Sequence, residues 1–149
     1  MSTPATQATA LVALDTNLLI YAIDARNPAK RASVLAMLER DQRMVLLYQV
    51  ATEFIAATRK LPVGAITPQQ AWIELGRFRK AMRLVLPSER VLPLAEDLHS
   101  NKQVSLWDAM ILAACVDAGV ERLYSEDLPG RVRGVGVEVV NPFADLAAN

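Results

Sequence analysis

Residues 10–14 are apolar without interruption, and the run stops at Asp15. Five residues are too few for a buried helix. They suit a strand covered on both faces, the pattern of a parallel sheet rather than of an antiparallel sheet with one wet face. Asp15, Thr16 and Asn17 follow at once, and any of the three can cap a helix over residues 18–23. The alternation then repeats. Asn27-Pro28 opens a second helix, to about Arg40, by a cap-then-proline signature. Its residues Ala32, Leu35, Ala36 and Leu38 are expected to turn inward, leaving Lys30, Arg31, Glu39 and Arg40 in water. Residues 44–48 read as a second buried strand, and 49–60 as a helix with Val50, Phe54 and Ala57 at helical spacing.

Pro62 and Gly64 mark a connection over residues 61–66. Thr67-Pro68-Gln69-Gln70 combines a cap, a proline at the first helical position and a capping-box glutamine, so a helix is expected from there to about Arg83. A short strand over residues 84–86 follows, then a helix from Ser88 that must accommodate Pro93. Ser105-Leu106-Trp107-Asp108 fits another capping box and starts a strongly apolar, buried helix ending at Gly119. Strands over 122–125 and 135–140 close the chain. This order implies a three-layer α/β/α sandwich with a central, mainly parallel sheet. One domain over residues 10–145 is expected, with short tails at 1–9 and 146–149.

Composition narrows the chemistry. Hydrophobic residues are 52% of the 149 and charged residues 21%, enough for a core without staples. Cys115 is the only cysteine and His99 the only histidine, which excludes an internal disulfide and a zinc-finger framework. Cys115 is expected in the core and His99 on a wet helix face. No basic n-region precedes the first apolar run, and residues 10–23 are too few for a membrane span. A soluble cytoplasmic protein without a membrane partner is expected. Sixteen bases balance sixteen acids, which argues against holding nucleic acid by bulk charge alone.

Four carboxylates stand out. Asp15 follows the first strand directly and Asp127 follows the strand over 122–125, so both belong at strand carboxyl ends, where open α/β sheets gather ligands. Glu53 sits between Thr52 and Phe54, and Asp108 beside Trp107 in the first turn of the apolar helix. No Lys or Arg lies within five residues of Asp108. Clustered carboxylates repel one another unless protonated or bridged by a cation. Mg²⁺ or Mn²⁺ resolves that conflict with oxygen ligands and can activate water against a phosphodiester. Each acid also has a plainer reading: helix cap for Asp15 and Asp108, surface residue for Glu53, turn residue for Asp127.

LVALDTNLLIYAID, QVATEF, SLWDAMILAAC, LYSEDLPG and GVEVVNPF, in that order, resemble the successive motifs of the PIN-domain family, more narrowly its small VapC-type toxins. The resemblance runs from about Ala10 to Phe143. It implies an α/β/α sandwich with metal-dependent ribonuclease activity, in which Asp15, Glu53, Asp108 and Asp127 form an acidic quartet holding one or two Mg²⁺ or Mn²⁺ ions. Asn17 and Ser125 match accessory polar positions, and Glu126 is a possible fifth acid. Water activated at the metal attacks RNA in line, leaving a 3′-hydroxyl and a 5′-phosphate, with no role for His99 or Cys115. An antitoxin partner and a homodimer are also implied. A groove for the antitoxin could use Leu18, Leu19, Tyr21, Leu35, Leu38, Phe54 and Ile55, which core packing explains equally well.

Substrate contact needs positive charge. Residues 59–90 hold seven bases against Glu74 and Glu89, so Arg77, Arg79, Lys80 and Arg83 are candidate RNA contacts, with a solvated helix as the competing reading. Two other classes stay open. An aspartate-dependent phosphatase would want a second acid where Asn17 stands, and a non-catalytic RNA-binding or scaffold module would be hindered by intact acids.

Overall fold

The computed structural model describes residues 10–41, 43–128 and 136–144. Strand β1 (Leu11–Leu14) leads to helices α1 (Thr16–Ile23) and α2 (Pro28–Arg40), then β2 (Met44–Leu47), α3 (Tyr48–Thr58) and α4 (Pro68–Ala81). After β3 (Arg83–Val85) come α5 (Val91–Glu96), a π-helical turn (Asp97–Asn101), α6 (Leu106–Ala118), β4 (Val120–Tyr124) and β5 (Glu138–Val140). The five strands form one sheet in the order β3-β2-β1-β4-β5, and every pairing is parallel. The expected sandwich is therefore present, with a sheet that is parallel throughout. Right-handed crossovers put α1–α4 on one face and α5–α6 on the other. The order reverses at β1, so the crevice between the carboxyl ends of β1 and β4 is the natural ligand site.

Burial explains the strands. Val12, Ala13 and Leu14 of β1 and all four residues of β2 are buried. Leu18, Leu19, Val50, Phe54, Leu112 and Leu123 close the core from both sides, and the rings of Phe54 and Phe78 meet edge-to-face at 5.3 Å. No helix among the described residues is long and apolar enough to cross a membrane.

Several local expectations are corrected. Helix α2 buries Val34 and Met37, while Ala32, Leu35 and Ala36 face water. Small alanines gain little by burial, and the valine–methionine pair one turn apart sets the face. Tyr48 opens α3 instead of ending β2, and β3 begins one residue early, at Arg83. Pro93 does not break its helix: α5 starts at Val91, so the proline falls in the first turn, where the missing N–H has no intrahelical acceptor. The Thr67–Gln70 capping box forms as expected, whereas Ser105 makes no capping hydrogen bond. Entry into α6 is set instead by buried Val104, whose N–H donates to the Leu98 carbonyl at 3.1 Å. Helix α6 is not buried all round, since Leu106 and Trp107 stay exposed. His99 is exposed as expected, but on the π-helical turn, with Nδ1 2.9 Å from the Val104 carbonyl. The tails at 1–9 and 146–149, Asp145 and Val135 lie outside the described residues.

Candidate active site

Asp15 is fixed by its backbone before its side chain. Its N–H continues the β1–β4 ladder to the Tyr124 carbonyl at 2.9 Å, which sets it beside Ser125. It also caps α1: Oδ1 accepts from the Thr16 N–H at 2.7 Å. Oδ2 accepts from the Ser125 hydroxyl at 2.8 Å. Ser125 is fully buried, donates its own N–H to the Val140 carbonyl, and accepts from the Leu128 N–H at 3.3 Å. One serine thus ties Asp15 to the turn that carries Asp127. On the outer side of that turn, the Asn17 amide donates to Asp127 Oδ2 at 3.3 Å.

Glu53 enters from α3. Gln49, one turn earlier, donates to Glu53 Oε1 and lies 3.3 Å from the Trp107 carbonyl, linking α3 to the first turn of α6 where Asp108 sits. The Thr16 hydroxyl lies close enough to Glu53 to favour its ionised form, short of a full hydrogen bond.

Burial pushes the Asp15 carboxyl above its ordinary range; Ser125 and Thr16 oppose this, and the charges of Asp108 and Asp127 add to it. Burial likewise raises Glu53, with the charges of Asp15 and Asp108 contributing. Asp15 thus feels the charges of Asp108 and Asp127, and Glu53 those of Asp15 and Asp108. Among the described residues no lysine or arginine forms an ion pair with Asp15, Glu53 or Asp127. A cavity of about 510 Å³ opens beside Asp15, Asn17 and Asp127.

The donor chemistry suits a hard cation. The groups are all oxygens, and buried Asn17 Oδ1 has no hydrogen-bond partner among the described residues. No three His, Cys, Asp or Glu side chains among those residues enclose an ion by themselves. Mg²⁺ needs only one or two carboxylates, with waters completing its shell.

A PIN-domain family model matches residues 12–128. The chain belongs to the PIN-domain family. No curated protein matches it significantly by sequence. Among solved structures, FitAcB from Neisseria gonorrhoeae superposes on this PIN domain with a TM-score of 0.67 at 18% identity, covering 90% of this chain and 99% of that one. VapBC2 from Rickettsia felis, bound to a DNA fragment from its promoter, gives 0.66 at 14% identity over 88% and 98%. DNA-bound VapBC from Salmonella typhimurium gives 0.66 at 17% identity over 89% and 98%. At these identities the likeness is one of fold.

Other sequence candidates of the PIN domain fall elsewhere. Glu126 turns away from the quartet, accepting from Tyr21 Oη at 2.6 Å and pairing with Lys30. Arg83 starts β3, at the amino end of the sheet, opposite Asp15. Arg79 and Lys80 occupy the last turn of α4, which delivers the chain to that same end. Arg77, a little earlier, pairs with Glu74 at 2.6 Å. A helix feeding a parallel strand must finish at the strand's amino end, so this basic flank lies away from the acids. Of the suggested groove residues, Leu18, Leu19 and Phe54 are wholly buried. Cys115 is also fully buried, and desolvation pushes its thiol up to about 12.

Gln49 and Arg26 escaped the sequence reading. Gln49 had a legible signal, its i,i+4 spacing to Glu53; Arg26, on an irregular connection, had none. Replacing Ser125 by alanine removes the hydroxyl that favours the Asp15 anion, so the Asp15 carboxyl rises further. The acid limb of a cleavage–pH profile is expected to move to higher pH, whereas an unmoved limb would show that Ser125 does not tune Asp15.

Proposed function

We propose that this PIN domain is a cytoplasmic Mg²⁺- or Mn²⁺-dependent endoribonuclease, acting as the toxin of a toxin–antitoxin pair. The observation that carries the reading is that Asp15 and Glu53 are both pushed up by burial and by neighbouring carboxylates, Asp108 and Asp127 for the first, Asp15 and Asp108 for the second, while among the described residues no ion pair compensates Asp15, Glu53 or Asp127. Such a site is poorly suited to holding RNA phosphates unaided. It is well suited to a divalent cation.

The four acids are the residues that would hold the ion. When bound, the ion supplies acidified water and neutralises charge building on the phosphate. The protein's own part is orientation. Ser125 and the Thr16 N–H fix both oxygens of Asp15, Asn17 presents Asp127, and Gln49 aims Glu53 while joining α3 to α6. Buried, largely protonated Cys115 is no nucleophile.

The partner reading draws on the neighbours, which include VapBC assemblies and a toxin–antitoxin complex from Klebsiella pneumoniae. An antitoxin that covers the acidic cavity would silence this chain, and a homodimer is the proposed active assembly. The test is cleavage of single-stranded RNA by the purified protein. Mg²⁺ or Mn²⁺ is expected to support cleavage, and EDTA to lower it by at least about 10³-fold, the rate equivalent of several kcal/mol of charge stabilisation. Cleavage that persists in EDTA, or full activity of Asp108→Asn, would overturn the reading.

A further inference from the structure

The end of the fold that carries the acids repels a polyanion, so an RNA strand reaching it needs a cation on its path. The candidate flank on α4 is at the wrong end of the sheet. Three cations belong to the α1–α2 connection and early α2: Arg31 turns its Nε to the Ala22 carbonyl at 3.3 Å and lines none of the cavities that Arg26 lines, whereas Arg26 and Lys30 are at the right end, in different surroundings.

Lys30 is already spent. Its ammonium pairs with Glu126, reaches Tyr21 Oη, and sits 4.7 Å and 5.3 Å from the ring centres of Tyr21 and Phe143. Arg26 is held by one edge only. Asp24, just past the end of α1 and 8% exposed, accepts from Arg26 Nε at 2.9 Å and Nη2 at 2.8 Å, and from its backbone N–H at 3.0 Å. Nη1 makes no hydrogen bond among the described residues, and the side chain is 59% exposed. Asp24 therefore fixes the guanidinium plane in advance.

Arg26 also stands at a junction. It lines the cavity of Asp15, Asn17 and Asp127 and, among the described residues, is the only cation lining it. It lines a second cavity with Lys30, Asn141 and Phe143, and a third with residues 61–66. A strand that leaves the acids by any of these grooves passes the same side chain.

We propose that Arg26, pre-set by Asp24, binds a phosphodiester of the RNA strand flanking the one at the acids. This rests on the ribonuclease reading above. A guanidinium fork matches phosphate oxygens in plane and stays charged at any working pH, and one fixed beforehand loses less freedom on binding.

The test is equilibrium binding of a short fluorescein-labelled single-stranded RNA to the full chain carrying Asp15→Asn, so that turnover does not interfere. Binding is followed by anisotropy at fixed Mg²⁺ across a NaCl series. Arg26→Ala is expected to weaken binding about tenfold at low salt. It should also flatten the slope of log Kd against log salt by about 0.7, the loss of one single-strand phosphate contact. Arg26→Lys should keep the slope and lose only part of the affinity. Asp24→Asn, which frees the fork but keeps the charge, should weaken binding less than Arg26→Ala with the slope unchanged. If Arg26→Ala binds like its parent, or loses affinity with an unaltered slope, the inference fails while the ribonuclease reading stands. A larger loss from Arg79→Ala/Lys80→Ala would also overturn it, by moving the RNA to the other end of the sheet. Failure of the unsubstituted chain either to bind or to cut this RNA at the same Mg²⁺ would bring down both.

Discussion

Asp15→Asn is expected to lower RNA cleavage by at least about 10³-fold while leaving the metal-free protein no less stable than its parent. The two halves of this result have one cause. Asparagine keeps an oxygen for the Thr16 N–H, and its amide nitrogen can donate to the Ser125 oxygen once that hydroxyl turns, so both contacts stay polar although the second reverses direction. It removes a charge that burial and two neighbouring acids disfavour. Because the folded-state pKa of Asp15 lies above its ordinary 3.8, the native chain binds more protons than the unfolded chain between those values. The stability this group contributes is present below 3.8 and declines as pH rises through the raised value. Glu53, also raised, acts in the same direction. At neutral pH without metal, Asp15 is therefore a burden on the fold. Thermal melts in EDTA at pH 7 together with cleavage assays check both halves. A variant that melts well below its parent would mean that Asp15 is retained for structure.

Phe54→Ala is expected to have the opposite profile, a loss of about 3–5 kcal/mol of stability. The side chain is wholly buried on α3 and meets Phe78 of α4 edge-to-face. Its removal leaves a void between the two helices that reach from β2 to β3. Against a typical total of roughly 5–15 kcal/mol, such a loss brings the protein near its threshold. Glu53 is its chain neighbour, so the acid on α3 should lose its position before the sheet melts. Urea unfolding should show a lower midpoint with an unchanged slope. A change below about 1 kcal/mol would mean that α3 and α4 repack around the gap.

How much of this was legible depended on the range of the signal. The run ending at Asp15 announced a buried strand, and Thr67 to Gln70 announced a helix start, because both are local and uncompromised by tertiary packing. Ser105 carries the same capping pattern as Thr67 and makes no cap, since buried Val104 dictates how the chain enters α6. The face of α2 is not legible because apolar residues lie on both sides of it, and only the packing against α1 decides that Val34 and Met37 turn inward while Leu35 stays exposed. The acids at the ends of β1 and β4 could be placed together from topology alone. The basic residues of α4 could not be aimed at them, because charge along a chain does not say which end of a sheet a helix finishes at. The Asp24–Arg26 fork spans two residues of an irregular connection and has no periodicity to betray it.

The pairing of β1 with β4 also bears on timing. Asp15 is held by Tyr124 and Ser125, more than a hundred positions later in the chain. Contacts of such high sequence separation form late, because a long loop must close before they can hold. A growing chain emerging from the ribosome thus carries Asp15 and Glu53 early but cannot assemble the site until β4 has been made. If the chain cuts RNA as proposed above, it is expected to spare the RNA beside it until β4 has been made, and a copy truncated before β4 is expected to be inert.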